Sequence, residues 1–480
     1  MGNKDIPQEH SGHSKQVGKD SVAESTVRMF SRDLAQVSKR FPERFARLAL
    51  RFPENVHPHY IGAVLQGLKQ TKPTDGSDAE KAAWHPAPID LVEAVLAKFA
   101  AGDDREVASE FCWLVHDRAD EQWSERSIKR LIHYATTHPD PESGQLNVWA
   151  SKKGRDVANA TAHDLTENAL NCVRGVAALA VGALLRDHPD WLGRLKACIE
   201  NLAADPHPAV RAATVEACLP VLNIDRPQAI EWFCKASNDD LRVAASRAGV
   251  YYFNCGMNPF YEKMAPIIRG MLASPYEDAA QEGAGEVTAR WLFGGLFAEE
   301  LGACQQGSIP HRKGVAQIAS HFLLQDKYAR PCQALLLPLF DDPEQDVRWQ
   351  AVRCFRDKGV FSIPNATEFI GKYVHSQAYL DDPSPLFFAI KEHAGSLTPY
   401  AELILSVCEV FCGSLRDASR DMATGVAGDA HTLPPLLLRL YEQAHGQGDA
   451  DTVNRCLDAW DLLFESRVGM ARELTVAIEK

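Results

Sequence analysis

One short pattern constrains this chain more than any other. An aliphatic residue followed by arginine recurs behind a polar or proline-containing turn: Val173-Arg174, Val210-Arg211, Leu241-Arg242 and Val347-Arg348. Small or apolar residues follow at helical offsets of four, seven and eight. After Val173 these are Ala177, Ala180 and Val181; after Leu241, Ala245, Ala248 and Gly249; after Val347, Ala351, Cys354 and Phe355. Behind Val210 the first of these positions is Thr214, while Ala213, Ala217 and Cys218 keep the face. Fainter copies are centred on Val107, Ala279, Lys313 and Leu386, so the anchors fall 31 to 39 residues apart, apart from one step of 66, close to a double unit. A period of this length, with room for two helices, predicts an all-α solenoid in which each helix pair buries its apolar face only against its neighbours. No stretch sustains the alternation that a strand would need.

The unit makes physical sense without any catalytic role. Asp or Asn in the turn caps the first amides of the helix that follows and complements its dipole. A proline in the first turn gives up no needed donor. Ala, Gly and Cys along one face let neighbouring helices approach closely. Partner helices fill the intervals, from Trp191 to Leu202 and from Pro331 to Phe340.

The runs Asp205–Leu222 (DPHPAVRAATVEACLPVL) and Asp341–Phe355 (DDPEQDVRWQAVRCF) resemble HEAT repeats: an Asp-Pro turn, a Val-Arg pair and small residues behind it. Clear copies cover 170–250 and 340–356, and faded ones about 100–400. The resemblance implies an armadillo-like superhelical scaffold. Three further segments, Ser31–Pro53, Val173–Leu185 and Leu436–Gly469, resemble the C-terminal helical-repeat region of large bacterial NTPases, many of them in anti-phage defence. That resemblance implies a sensor or adaptor working with an NTPase or nuclease. The chain departs from the NTPases themselves in having no GxxxxGK[ST].

The sequence divides into a polar segment at 1–25 that reads as a disordered tail, N-terminal helices over 26–70, degenerate repeats over 84–165 with a long loop at 137–164, HEAT-like repeats over 166–400, and capping helices over 401–480. The loop concentrates Lys152, Lys153 and Arg155 in an acidic protein and is a candidate contact surface. A second interruption of the rhythm spans Phe297–Arg312. The 64 acidic residues outnumber the 51 basic ones, for a net charge of −13, which argues against bulk binding of nucleic acid. The longest apolar run, Gly175–Leu185, is about half of the roughly 20 residues that a membrane span needs, so no membrane is expected. A polar N-terminus without an apolar core argues against secretion, and the twelve scattered cysteines fit reduced thiols in the cytoplasm.

Candidate sites are few. Arg174, Arg211, Arg242 and Arg348 form either a structural ladder with turn carboxylates such as Asp205, Asp239 or Asp240, and Asp341 or Asp342, or a basic stripe along a groove. Trp349 stands two residues after Val347, about 200° around the helix, and should face away from the packing side, where an interface aromatic belongs. Cys408/Cys412, His57/His59 and the neighbourhood of Trp113, His116, Trp123 and His133 have bland readings as core, cap and helix contacts. HExxH, GxSxG and GxGxxG are absent from the sequence. No catalytic residue, metal ligand or cofactor is expected. The favoured reading is a non-enzymatic scaffold for a protein partner. The alternative is a HEAT-like nucleic-acid-binding or glycosylase-like repair enzyme, which would need the arginines facing solvent.

Overall fold

A computed structural model describes residues 26–73, 77–144, 146–148, 159–421 and 424–468, together with two three-residue strands, Ser14–Gln16 and Val22–Glu24, which pair antiparallel. Otherwise the described residues are helices and their connections, stacked in pairs as an α-solenoid of the HEAT or armadillo-like kind. The chain forms two compact units, 1–279 and 280–480.

In the first unit the anchors lie at or near the start of the helices that stack on one another. Helix Pro58–Leu68 packs on Arg105–Asp117, that one on Val173–Asp187, and the last on Pro208–Ala217. The Val173–Asp187 helix is buried nearly all round: only Leu179, Arg186 and Asp187 among its fifteen residues escape full burial. Small residues make this possible. A Cβ on Gly182 would come within 2.5 Å of the Ala217 Cα in the next helix of the stack. Partner helices, among them Ile89–Phe99, Glu125–Thr137 and Leu192–Leu202, lie outside this row, each touching the next.

The caps follow the turns only in part: helices Val173–Asp187 and Gln345–Ala351 have no side-chain cap from the residue before them, and Pro208–Ala217 is capped by His207 rather than by an Asp. Asp104 accepts the amides of Glu106 and Val107 at 3.1 Å. Thr161 and Asp164 close a reciprocal capping box at the start of helix Ala162–Leu170. His207 accepts the Ala209 amide ahead of Pro208.

In the second unit, helix Ile309–Phe322 packs on Gln345–Ala351, whose 3-10 continuation, Val352–Arg356, packs on Ser384–Glu392. Four helices follow, Ala401–Cys412, Gly425–Ala430, Leu433–Gln447 and Ala450–Ser466.

Three expectations shift in detail. Residues 241–245 form turns rather than the start of a helix, because Ser246 takes an extended conformation and the helix opens only at Arg247. The interruption at Phe297–Arg312 contains a helix of its own, Ala298–Gln305, entered through Phe297 in the left-handed region. The partner helix expected to open at Pro331 begins at Asp326, with Pro331 inside it. Among the described residues no single helix is long and apolar enough to cross a membrane.

Candidate protein-binding surface

The four arginines are all buried. Arg174 forks onto the Asp205 carboxylate at 2.8 and 3.2 Å and donates to the His138 carbonyl at 2.7 Å. Arg211 donates to the carbonyls of Asp205 and Ala236. Arg242 forks onto Asp240 in its own turn at 3.0 and 2.7 Å, donates to the Ala160 carbonyl, and lies 3.9 Å above the Tyr276 ring. Arg348 reaches Asp381 at 2.7 Å and the carbonyls of Asp342 and Pro343. Arg174, Arg242 and Arg348 are thus spent on carboxylates and on backbone oxygens, and Arg211 on backbone oxygens alone, which would otherwise lie buried without donors.

Two rungs of the same kind escape the sequence pattern. Arg312 forks onto Asp342 at 2.6 and 3.1 Å, and Arg105 reaches Asp140 at 3.1 Å and the Asn171 carbonyl. Arg312 stands just before the weak Lys313-Gly314 anchor and Arg105 two residues before Val107, so a search that allowed the arginine to slide by a turn of sequence would have found both.

Trp349 is placed differently. On helix Gln345–Ala351 the buried residues are Val347, Arg348 and Ala351, and the helical period turns Trp349 outward, 49 % exposed. It lines a groove of about 470 Å³ with Lys313, Arg353 and Arg356 as cations and Asp346 and Asp382 as carboxylates. Asp382 is engaged in the turn ahead of the next helix, where it accepts the Ser384 amide. Arg353 donates to the Gln350 side chain, whereas Lys313 and Arg356 make no side-chain hydrogen bond or ion pair among the described residues. Helix Ser384–Glu392 exposes Phe388 at 54 %. A large aromatic beside unpaired cations suits contact with a protein surface that carries carboxylates.

The remaining candidates have structural partners. His57 accepts the His59 amide at the start of helix Pro58–Leu68, and burial followed by the His59 charge lowers its pKa. His116 pairs with Asp117 and lies edge-on to Trp113, whereas Trp123 is buried with its indole N–H on the Arg118 carbonyl. His133 pairs with Asp103 and lines a separate groove with Arg126 and Arg130. Cys408 and Cys412 are both buried, and burial pushes both thiols up. Among the described residues no group of three or more His, Cys, Asp or Glu side chains comes together in a way that could hold a metal ion. Lys152, Lys153, Arg155 and Trp149 lie outside the described residues.

No family model matches the chain, and no curated protein matches it significantly. Among solved structures it is similar to a chain from "Kap95p Binding Induces the Switch Loops of RanGDP to adopt the GTP-bound Conformation", with 14 % identity and a TM-score of 0.40. The likeness covers 93 % of this chain and 59 % of that one.

Proposed function

We propose that this chain is a non-enzymatic scaffold that binds a protein partner, with the Trp349 groove as a contact surface. The observation that carries this reading is the contrast between two kinds of side chain on the same helix: Arg348 is buried in its ladder, while Trp349 stands half-exposed beside Lys313 and Arg356. With the ladder arginines engaged, the basic stripe that a nucleic-acid enzyme would need is not supplied by them. All twelve cysteines are free, which supports a reducing compartment such as the cytoplasm. The sequence resemblance to helical repeats of bacterial defence NTPases makes an NTPase or a nuclease the partner class to seek first.

The test is affinity capture from the native cells with the wild-type chain and with Trp349→Ala, each with and without nuclease. The expected result is a defined protein that survives nuclease and is depleted about tenfold or more by Trp349→Ala, a loss typical of an interface hot spot. The melting temperature should be unchanged, because the side chain is half-exposed. Recovery that disappears with nuclease, or that ignores Trp349→Ala, overturns the reading.

A further inference from the structure

The acidic chain carries one strongly basic stretch. Between Thr26 and Pro53 there are seven basic residues against two acidic ones, although the whole chain has a net charge of −13. The structure turns part of this stretch into a groove of about 930 Å³. One wall is helix Pro42–Ala49 and the other is the segment around Trp84. Arg44 and Arg47 lie three residues apart on that helix, Arg40 ends the helix before it and Arg51 stands in the turn after it, and all four line the groove. Phe41, 48 % exposed, and Leu48, 39 % exposed, line the groove with Leu91 and Trp84.

The walls are fastened at both ends. The Trp84 indole N–H donates to the Lys39 carbonyl at 2.9 Å, and the Lys98 ammonium donates to the carbonyls of Leu50 and Phe52 at 2.8 and 2.6 Å. The one carboxylate in the lining, Glu43, is taken by Arg47 at 2.7 Å. Arg44 and Arg51 are exposed and have no carboxylate partner among the described residues. The groove therefore combines apolar side chains with guanidinium groups, two of which have no carboxylate partner among the described residues.

We propose that this groove takes an acidic, amphipathic segment of a partner protein, with its apolar side chains on Phe41, Leu48 and Leu91 and its carboxylates on Arg44 and Arg51. Guanidinium groups match carboxylates in planar, two-bond geometry, and an amphipathic helix laid in a groove presents both kinds of group at once. A peptide fits better than a nucleic-acid backbone. Beside its arginines the lining presents Phe41, Leu48, Leu91 and Trp84, to which a phosphate backbone offers no apolar partner, and a duplex would meet the carboxylate excess of the rest of the chain. This surface shares no lining residue with the Trp349 groove, and the proposal does not depend on that one.

The test is selection from a random-peptide display library on the full chain, repeated on Arg44→Glu/Arg51→Glu, on Arg44→Gln/Arg51→Gln, on Leu48→Glu and on Trp349→Ala. The expected outcome is enrichment of peptides that mix Asp or Glu with Leu, Phe or Trp. Their affinity should weaken with added salt, fall about tenfold or more in the two arginine double variants and in Leu48→Glu, and stay unchanged in Trp349→Ala. The neutral double variant keeps the test valid if charge reversal disturbs folding, which thermal melts will show. Enrichment of neutral or basic peptides, retention of acidic peptides by the double variants, or no enrichment at all overturns the proposal. Displacement of the peptides by duplex DNA at a lower concentration than by free peptide assigns the groove to nucleic acid and overturns it equally.

Discussion

Arg174 and Asp205 meet with both side chains about nine-tenths buried. A pair of this kind adds little net stability compared with apolar residues of the same shape, because both charges had to be desolvated. Removing one partner is another matter. Arg174→Ala would leave the Asp205 carboxylate without its guanidinium and the His138 carbonyl without its donor, a loss expected to cost about 3–5 kcal/mol in denaturant unfolding. The pattern of such rungs was legible in the residues Val173-Arg174 and Val347-Arg348; the choice of carboxylate was not. Arg242 forks onto Asp240 two residues away, whereas Arg348 passes over its own turn's carboxylates to reach Asp381, and only the placed helices decide between them.

A second residue-scale consequence concerns Glu286. Burial, opposed by the charge of Arg290, pushes its carboxyl from an ordinary 4.5 up to about 7. Between those values the folded chain binds a proton that the unfolded chain has released. The contribution of this group to stability is therefore complete below about pH 4.5 and lost as pH rises through about 7. Glu286→Gln should narrow the difference between melting temperatures measured at acidic and at mildly alkaline pH, the wild type being the one that loses stability on the alkaline side.

At the scale of the element, close approach decides which substitutions the helices accept. Gly182 faces the Ala217 backbone across the contact between helices Val173–Asp187 and Pro208–Ala217, so Gly182→Ala forces them apart and should destabilise by about 1–3 kcal/mol. Gly371, inside helix Ala366–Val374, has nothing within 4 Å of its missing Cβ. Gly371→Ala should therefore stabilise by about 0.5–1 kcal/mol, and paired melts of the two variants check both signs. Helix existence was readable from apolar period and caps, and the Leu192–Leu202 helix forms close to where those signals lie, although the Ala162–Leu170 helix opens inside the stretch 137–164 that reads as a loop. The stretch after Leu241 was not, because Ala245, Ala248 and Gly249 satisfy a helical period equally well whether the helix opens at Leu241 or, after the extended Ser246, at Arg247. The arginine wall of helix Pro42–Ala49 was equally hard to notice, since net charge averages a short basic stretch into an acidic whole.

For the whole molecule, stacked pairs mean that stability is passed between neighbours rather than shared through one centre. Arg348→Ala should raise amide exchange in the helices that its guanidinium ties together, Gln345–Ala351 and Gln377–Asp381, well before global unfolding. Uniform acceleration throughout residues 280–480 would contradict that picture. The same arrangement accounts for how little of the binding surface the repeats announce. The period is set by what is buried, and Trp349, Arg44 and Arg51 fall outside it because they are exposed.

Asp205 has two clients: its carboxylate receives Arg174 from the preceding repeat, and its carbonyl receives Arg211 from the helix it introduces. Asp342 repeats the arrangement with Arg312 and Arg348. A turn built this way carries both halves of its own joint, one facing backward and one facing forward. Copying a repeat would copy a complete joint, whereas cutting within one would orphan a guanidinium on one side and a carboxylate on the other. Arrays of this type can therefore lengthen or shorten during evolution, or at an engineer's bench, only in whole units counted from one such aspartate to the next.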